Sequence, residues 1–342
     1  MSGPPSVLTE DEITTFLSHI GLPQHLHQYR YSANPETDIH FLTQLTIHTI
    51  STLPYENLAI HYSPSHTPLI VPRAAYNKMV VNARGRGGYC MENSLLFNHI
   101  LRGLKFPVYT APVRTKPRID GIPQGEYAGA QHLVNIVTLS DGSKWMLDVG
   151  FGGDGATAPI PLIDCAGTER TYRSLGTQEN RLVRDWIPGQ ALRTEASKLW
   201  IYQYRNGAEK AWNAFYAFGE YESVERDFVV VNWFTGSSPE SFQTKMVIVV
   251  KFLRREREDG SGDAEIYGKR MLVDHVVKEN LGRKTKIVKE CRTEAERVEA
   301  LEEWFGIRLT AEEAAAIKGW STEIGGDGTR LRKGAQSFDN SV

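Results

Sequence analysis

The segment Gln131-His-Leu-Val-Asn-Ile-Val-Thr-Leu-Ser140-Asp-Gly-Ser-Lys-Trp-Met-Leu-Asp148-Val-Gly-Phe151-Gly-Gly153 holds two apolar runs, 131–140 and 143–151, joined at Asp141-Gly142. Apolar, β-branched-rich runs on either side of an Asp-Gly pair predict a β-hairpin, because glycine takes the left-handed backbone that a tight hairpin turn needs. The centre of the chain is therefore read as antiparallel sheet. Residues 200–205, 215–218, 227–234 and 243–252 read as further extended runs. Residues 164–199 are mixed and polar and give no assignment. The charged, Gly-containing 254–265 reads as a solvated loop between strands.

Upstream of the hairpin the signal is helical. Thr9-Glu-Asp-Glu12 is a capping box, with Ile13, Phe16, Leu17 and Ile20 behind it at helical spacing and Gly21-Leu22-Pro23 as the stop. A second helix is predicted over 38–51 and a third from Cys90 to Arg102, ended by Gly103. The end of the chain is helical again. Thr293–Glu296 caps a helix stopped by Gly306, Thr310–Glu313 caps a short last one, and a loose tail is expected beyond Ile324. Helices first, then an antiparallel sheet or barrel, then a mixed end make an α+β fold.

At 342 residues the chain is long enough for two or three domains. Its 41% hydrophobic and 23% charged residues are those of a soluble globular protein. A net charge of −2 gives no reason to expect a nucleic-acid partner, and no apolar run is long enough to span a bilayer. The N-terminus lacks a basic-then-apolar signal. Three scattered cysteines, Cys90, Cys165 and Cys291, suit neither a disulfide framework nor a zinc site. A reducing, cytoplasmic compartment fits best.

The residues that could carry chemistry surround Cys90. In Arg84-Gly-Arg86-Gly-Gly-Tyr-Cys90-Met-Glu92-Asn93 the cysteine follows a double glycine at a predicted helix start. Glycines permit a sharp turn and close approach of a substrate, while free amides at the helix start stabilise a thiolate and later an oxyanion. A structural cysteine buried at a helix start would look similar. A thiol that attacks an acyl group needs a base, and the base needs an orienting partner. His132 opens an apolar strand, and Asp148 stands in an apolar run where an unpartnered carboxylate would cost several kcal/mol. The alternative for Asp148 is a carboxylate capping the glycine turn after it. A two-residue turn at Asp141-Gly142 would put 132 opposite 151 and send Asp148 to the face away from His132; a bulge or an odd-length loop would bring the two together.

Arg86-Gly-Gly-Tyr-Cys90-Met-Glu92, then His132, then Asp148-Val-Gly-Phe151-Gly resembles the arylamine N-acetyltransferase family, as do Pro54-Tyr-Glu56-Asn57-Leu58 and 232–239. The resemblance implies a helical domain over 1–105 carrying the nucleophile, a β-barrel domain over 106–220 carrying the histidine and aspartate, and an α/β lid over 221–342. It implies a Cys90–His132–Asp148 triad arranged as in papain-like peptidases and transglutaminases. Phe151 would line the acceptor pocket, with Gly129 and Ser237 near the coenzyme. It further implies acyl transfer from acyl-coenzyme A to an aromatic amine or hydrazine by a ping-pong route, with detoxification of foreign amines as the role. No metal or permanently bound cofactor is expected.

The competing chemistry for such a triad is transglutaminase-like or cysteine-hydrolase action on a peptide; a binding or scaffold module would not need all three residues. Two departures stand out: Ser94 occupies a position where the family commonly has Asn, and 114–127 is longer than in animal members. That segment carries Arg114, Lys116 and Arg118 against Asp120 and Glu126. These cations either meet solvent and the coenzyme's phosphates, or one of them pairs a free carboxylate on the acyl group and favours malonyl- over acetyl-coenzyme A.

Overall fold

The computed structural model describes residues 4–119 and 121–325, so the expected loose tail falls almost entirely outside the described residues. The local capping signals are realised. Glu12 N–H donates to Thr9 Oγ1 at 3.3 Å and Thr9 N–H donates to the Glu12 carboxylate at 2.8 Å, starting helix Glu10–His19. The second helix, Pro35–Thr52, begins earlier than expected because Asn34 caps it and Pro35 occupies its first turn, where a missing N–H costs nothing. The third is Cys90–Gly103. Leu96, Phe97, Ile100 and Leu101 of this helix pack with Ile13, Phe16, Leu17, Phe41 and Leu45 into one buried core.

The central sheet has eight antiparallel strands and nearly closes into a barrel. Its spatial order is Ile160–Pro161, Lys144–Leu147, Ala130–Thr138, Val108–Thr115, Asn213–Phe218, Leu199–Asn206, Gln178–Asp185, Tyr172–Arg173. The last two lie in the stretch that gave no assignment from sequence. The hairpin register is the informative detail. Asn135 pairs with Leu147 and Thr138 with Lys144. Leu139 N–H donates to Ser143 O at 2.9 Å, so the loop is the three residues 140–142, with Gly142 at φ +81°. An odd-length loop shifts the pairing by one. Continued one step, it sets Asp148 opposite Val134, on the same face as His132.

A second antiparallel sheet runs in the order Tyr55–Glu56, Ile248–Glu256, Ala264–Val273, Val276–Asn280, Lys286–Glu290. The first strand comes from the N-terminal part, which is therefore not purely helical: Tyr55 pairs with Val250 and Glu56 with Val249. Helix Glu294–Phe305 covers this sheet, its Ala300, Leu301 and Phe305 packing on Val249, Leu272 and Val277. It ends at Gly306, φ +71°, as expected.

Two expectations need correction. Residues 227–234 form not a strand but part of helix Glu225–Ser237. The Val-rich run suggested a strand, yet Phe228, Val231, Asn232 and Thr235 meet the protein at helical spacing while Val230 and Trp233 stay exposed. The extended run expected at 243 begins instead with a helical turn, Phe242–Lys245, before strand Ile248–Glu256. Among the described residues, no helix is long and apolar enough to cross a membrane.

Candidate active site

The loop that delivers Cys90 is held by buried charge. Arg86 Nε donates to the Glu56 carboxylate at 2.9 Å and its Nη1 to Glu313 at 2.9 Å, while Lys78 pairs with Glu92 at 2.6 Å. Glu92 Oε2 also accepts the Tyr89 N–H at 3.3 Å, capping the helix start. The two glycines permit close backbone packing. A Cβ at Gly87 would lie 1.8 Å from Pro54 O, and Glu56 N–H donates to Gly88 O at 3.0 Å. Arg86→Met should destabilise the protein by about 3 kcal/mol, since Glu56 is left buried with only the more distant Lys78 and the Leu58 N–H. Chemical denaturation measures it; a loss under about 1 kcal/mol would mean the network is not what anchors the loop.

Cys90, the first residue of its helix, is 5% exposed. Its Sγ lies 3.8 Å from the carbonyl oxygen of Gln131, the neighbour of His132. His132 Nε2 is 2.8 Å from Asp148 Oδ2, and Asp148 Oδ1 accepts the Gly150 N–H at 3.1 Å. Asp148 thus caps the glycine turn and holds the imidazole at once, so both sequence alternatives hold. With a carboxylate as acceptor, Nε2 carries the proton and Nδ1 keeps its lone pair. The 148–153 turn closes directly on the helix that starts at Cys90. A Cβ at Gly150 would meet Ser94 Oγ at 2.6 Å and Cys90 O at 2.8 Å, so only glycine fits. Sequence reasoning gave Gly150 no role.

Electrostatically, burial pushes the Cys90 thiol far up, the Met91 N–H at the helix start pulls against it, and the charges of Asp148 and Glu92 add to the burial. The helix start does favour a thiolate, as expected, but it is outweighed. An isolated thiolate is therefore costly here, and ionisation requires a proton acceptor nearby. Cys165 and Cys291 are buried as well, and burial pushes the Cys291 thiol up to about 11.

A cavity of about 450 Å³ is reached from Cys90 and His132 through their neighbours: neither lines it, but Gln131, whose carbonyl Cys90 Sγ contacts, and Phe151, which packs on the His132 ring, do. Tyr55, Gln131, Phe151, Phe215 and Val250 line it, as do Lys116, Arg118 and Glu126. Tyr55 and Val250 share an apolar cluster with Cys90. The Phe151 ring meets the His132 ring edge-on at 5.2 Å and that of Phe215 at 4.6 Å. Gly129 and Ser237 do not line this cavity. Gly129 is exposed with open space around it, and Ser237 ends its helix short of Glu240, Ser241 and Phe242, which do reach the cavity. Asn93 Nδ2 donates to Gly88 O at 2.8 Å, toward the preceding loop, while Ser94 lies under Gly150. A further group missed from sequence is Asp154, which pairs with both Arg118 and Lys269. Arg118 was visible as a cation, but nothing local foretells a partner from strand Ala264–Val273.

A family model described as N-acetyltransferase matches residues 38–314. The chain is 31% identical over 329 residues to an N-malonyltransferase of Fusarium pseudograminearum (strain CS3096), covering 90% of this chain and 92% of the relative. Its fold is similar to the arylamine N-acetyltransferase of Mycobacterium abscessus, with a TM-score of 0.71, 23% identity, and coverage of 92% of this chain and 98% of that one. The Mycobacterium marinum arylamine N-acetyltransferase in complex with CoA matches with a TM-score of 0.66 and 20% identity, over 90% of this chain and 99% of that one.

Proposed function

This chain belongs to the arylamine N-acetyltransferase family of acyltransferases, and from that premise we propose that it carries an acyl group from acyl-coenzyme A to an amine as a thioester on Cys90. The observation that carries the reading is the convergence of three segments: His132 on Asp148, Asp148 on Gly150, and Gly150 on the backbone of Cys90.

In the first half-reaction the Cys90 proton passes to His132 Nδ1, and Sγ attacks the thioester carbonyl carbon. The carbon–sulfur bond to the coenzyme breaks, and the imidazolium returns the proton to the departing thiolate. Asp148 stabilises the imidazolium and fixes its tautomer. A thiol pushed up by burial suits this scheme, since it ionises only as its proton is taken. In the second half the amine attacks the thioester carbon and gives a proton to His132, the carbon–sulfur bond to Cys90 breaks, and the imidazolium returns the proton to Sγ.

An aromatic amine is weakly basic and arrives neutral near pH 7. A flat acceptor fits against Phe151 and Phe215, which favours foreign aromatic amines and hydrazines as the acceptor class. Hydrolase or transglutaminase action on a peptide would use the same three side chains but would need an extended groove rather than this compact cavity. The relative named an N-malonyltransferase makes malonyl a donor to test beside acetyl. Acyl-coenzyme A alone, with no amine, should load one acyl group onto the chain; unchanged mass with every donor would overturn the reading.

A further inference from the structure

Tyr55, Met246, Ile248, Val250 and Val273 line the main cavity and also share the apolar cluster of Cys90. Of these, Tyr55 alone brings a hydroxyl. Its backbone is tied to the segment before Cys90, by the pairing of Tyr55 with Gly88 and by the Glu56 N–H to Gly88 O bond at 3.0 Å. Its ring packs on the turn after Asp148. A Cβ at Gly152 would lie 3.4 Å from Tyr55 Cγ, and one at Gly150 would lie 3.0 Å from Cys90 Cα. A chain of amides behind the cavity wall decides which way the hydroxyl can bond. The Ile248 N–H, which can only donate, donates to Asn57 Oδ1 at 2.8 Å. Asn57 Nδ2 is thereby turned to the Met246 carbonyl at 2.8 Å and to Gln243 Oε1 at 3.2 Å. With Oε1 accepting, Gln243 presents Nε2 to the Tyr55 oxygen and donates to it. Tyr55 is the acceptor in that bond, and its own proton has no acceptor among the described residues. The residue is 8% exposed. A donor left so in a nearly dry place is a cost that water or substrate in the cavity relieves.

Burial holds this hydroxyl well above the usual tyrosine range, and negative charge on Cys90 raises it further, so the proton stays on. An aromatic amine brings N–H donors, which offer that proton nothing. The acyl carbonyl oxygen is an acceptor, remains at Cys90 through both half-reactions, and gains negative charge when its carbon is attacked. Building on the acyl-enzyme reading above, we propose that the Tyr55 hydroxyl donates a hydrogen bond to the acyl carbonyl oxygen at Cys90, in the thioester and in the tetrahedral intermediate of each half-reaction. The phenol keeps its proton throughout. It stabilises the oxyanion as a fixed dipole, held in place by Gln243 and Asn57.

The experiment is rapid mixing with acetyl- or malonyl-coenzyme A and no amine, following release of free coenzyme A in a single turnover. Tyr55→Phe keeps the ring and removes only the hydroxyl. It should slow acylation at saturating donor by on the order of 10²-fold, while the donor concentration giving half the maximal rate changes by less than about threefold. Loss of the acyl group to an aromatic amine should slow by a similar factor, because the same oxyanion forms in that step. A 3-fluorotyrosine at position 55, a more acidic phenol of nearly the same shape, should acylate faster than wild type; it decides the matter should the Phe variant fail to fold. Acylation by Tyr55→Phe at the wild-type rate, or a fluorotyrosine enzyme no faster than wild type, overturns the proposal. A loss confined to the amine step also overturns it, assigning the hydroxyl to the acceptor. So does a loss seen only as weaker donor binding, which would make Tyr55 a packing residue. Each of these leaves the thioester on Cys90 standing. No release by wild type with either donor defeats the acyl-enzyme reading, and this proposal with it.

Discussion

Cys90→Ala should lower turnover by on the order of 10⁴-fold or more while the protein stays folded. The two halves of that expectation come from different observations. Chemically, alanine has no lone pair to attack a thioester, so neither half-reaction has a covalent route. Structurally, the thiol makes one weak polar contact, to Gln131 O at 3.8 Å, and otherwise sits in an apolar cluster with Tyr55, Met91 and Ile248. Losing one sulfur there should cost roughly 1 kcal/mol, within the ordinary range for a point substitution. Steady-state rates with thermal melting check both halves together. A variant that keeps a tenth of wild-type turnover with a normal melting point would show that Cys90 is not the nucleophile.

Asp148→Asn should cost about 10⁴-fold in the acylation rate, the scale on which loss of the correct imidazole tautomer acts in triads. An amide turned to offer its oxygen to the Gly150 N–H presents an NH₂ group to His132 Nε2. The imidazole then answers by moving its proton to Nδ1, the atom proposed to face the thiol, and can no longer act as base. Binding of the coenzyme should change far less than the rate, because Asp148 does not line the cavity. Single-turnover acylation separates the two. A folded Asp148→Asn enzyme that acylates at near the wild-type rate would remove Asp148 from the orienting role.

The features that sequence revealed were those set by neighbours in the chain. Thr9 and Thr310 cap their helices through residues three positions on, and Gly306 stops a helix by its own backbone freedom. The hairpin was legible as a hairpin, but its register was not, because Asp-Gly suits a two-residue turn and a three-residue loop alike. That single residue decides whether His132 and Asp148 share a face, so the triad rested on the family resemblance rather than on spacing. The helix Glu225–Ser237 was misread because a run of valines fits a strand locally, and only packing of Phe228, Val231 and Thr235 shows the helical period. Pairing of Tyr55–Glu56 with Ile248–Glu256, and of Asp154 with Lys269, joins distant parts of the chain. Such contacts leave no local trace. Gly129 and Ser237 were placed by analogy alone, and both lie off the cavity lining.

The central claim, a thioester on Cys90, is tested most directly by trapping it. Enzyme mixed with acyl-coenzyme A and no amine, quenched in acid and digested, should yield one acyl group on the peptide containing Cys90, with one free coenzyme A released per chain. Cys165 and Cys291 should remain unmodified, and addition of an aromatic amine before the quench should remove the adduct. An adduct on either of those two cysteines, or acyl-amine formation with no adduct at Cys90 on any accessible timescale, would contradict the account.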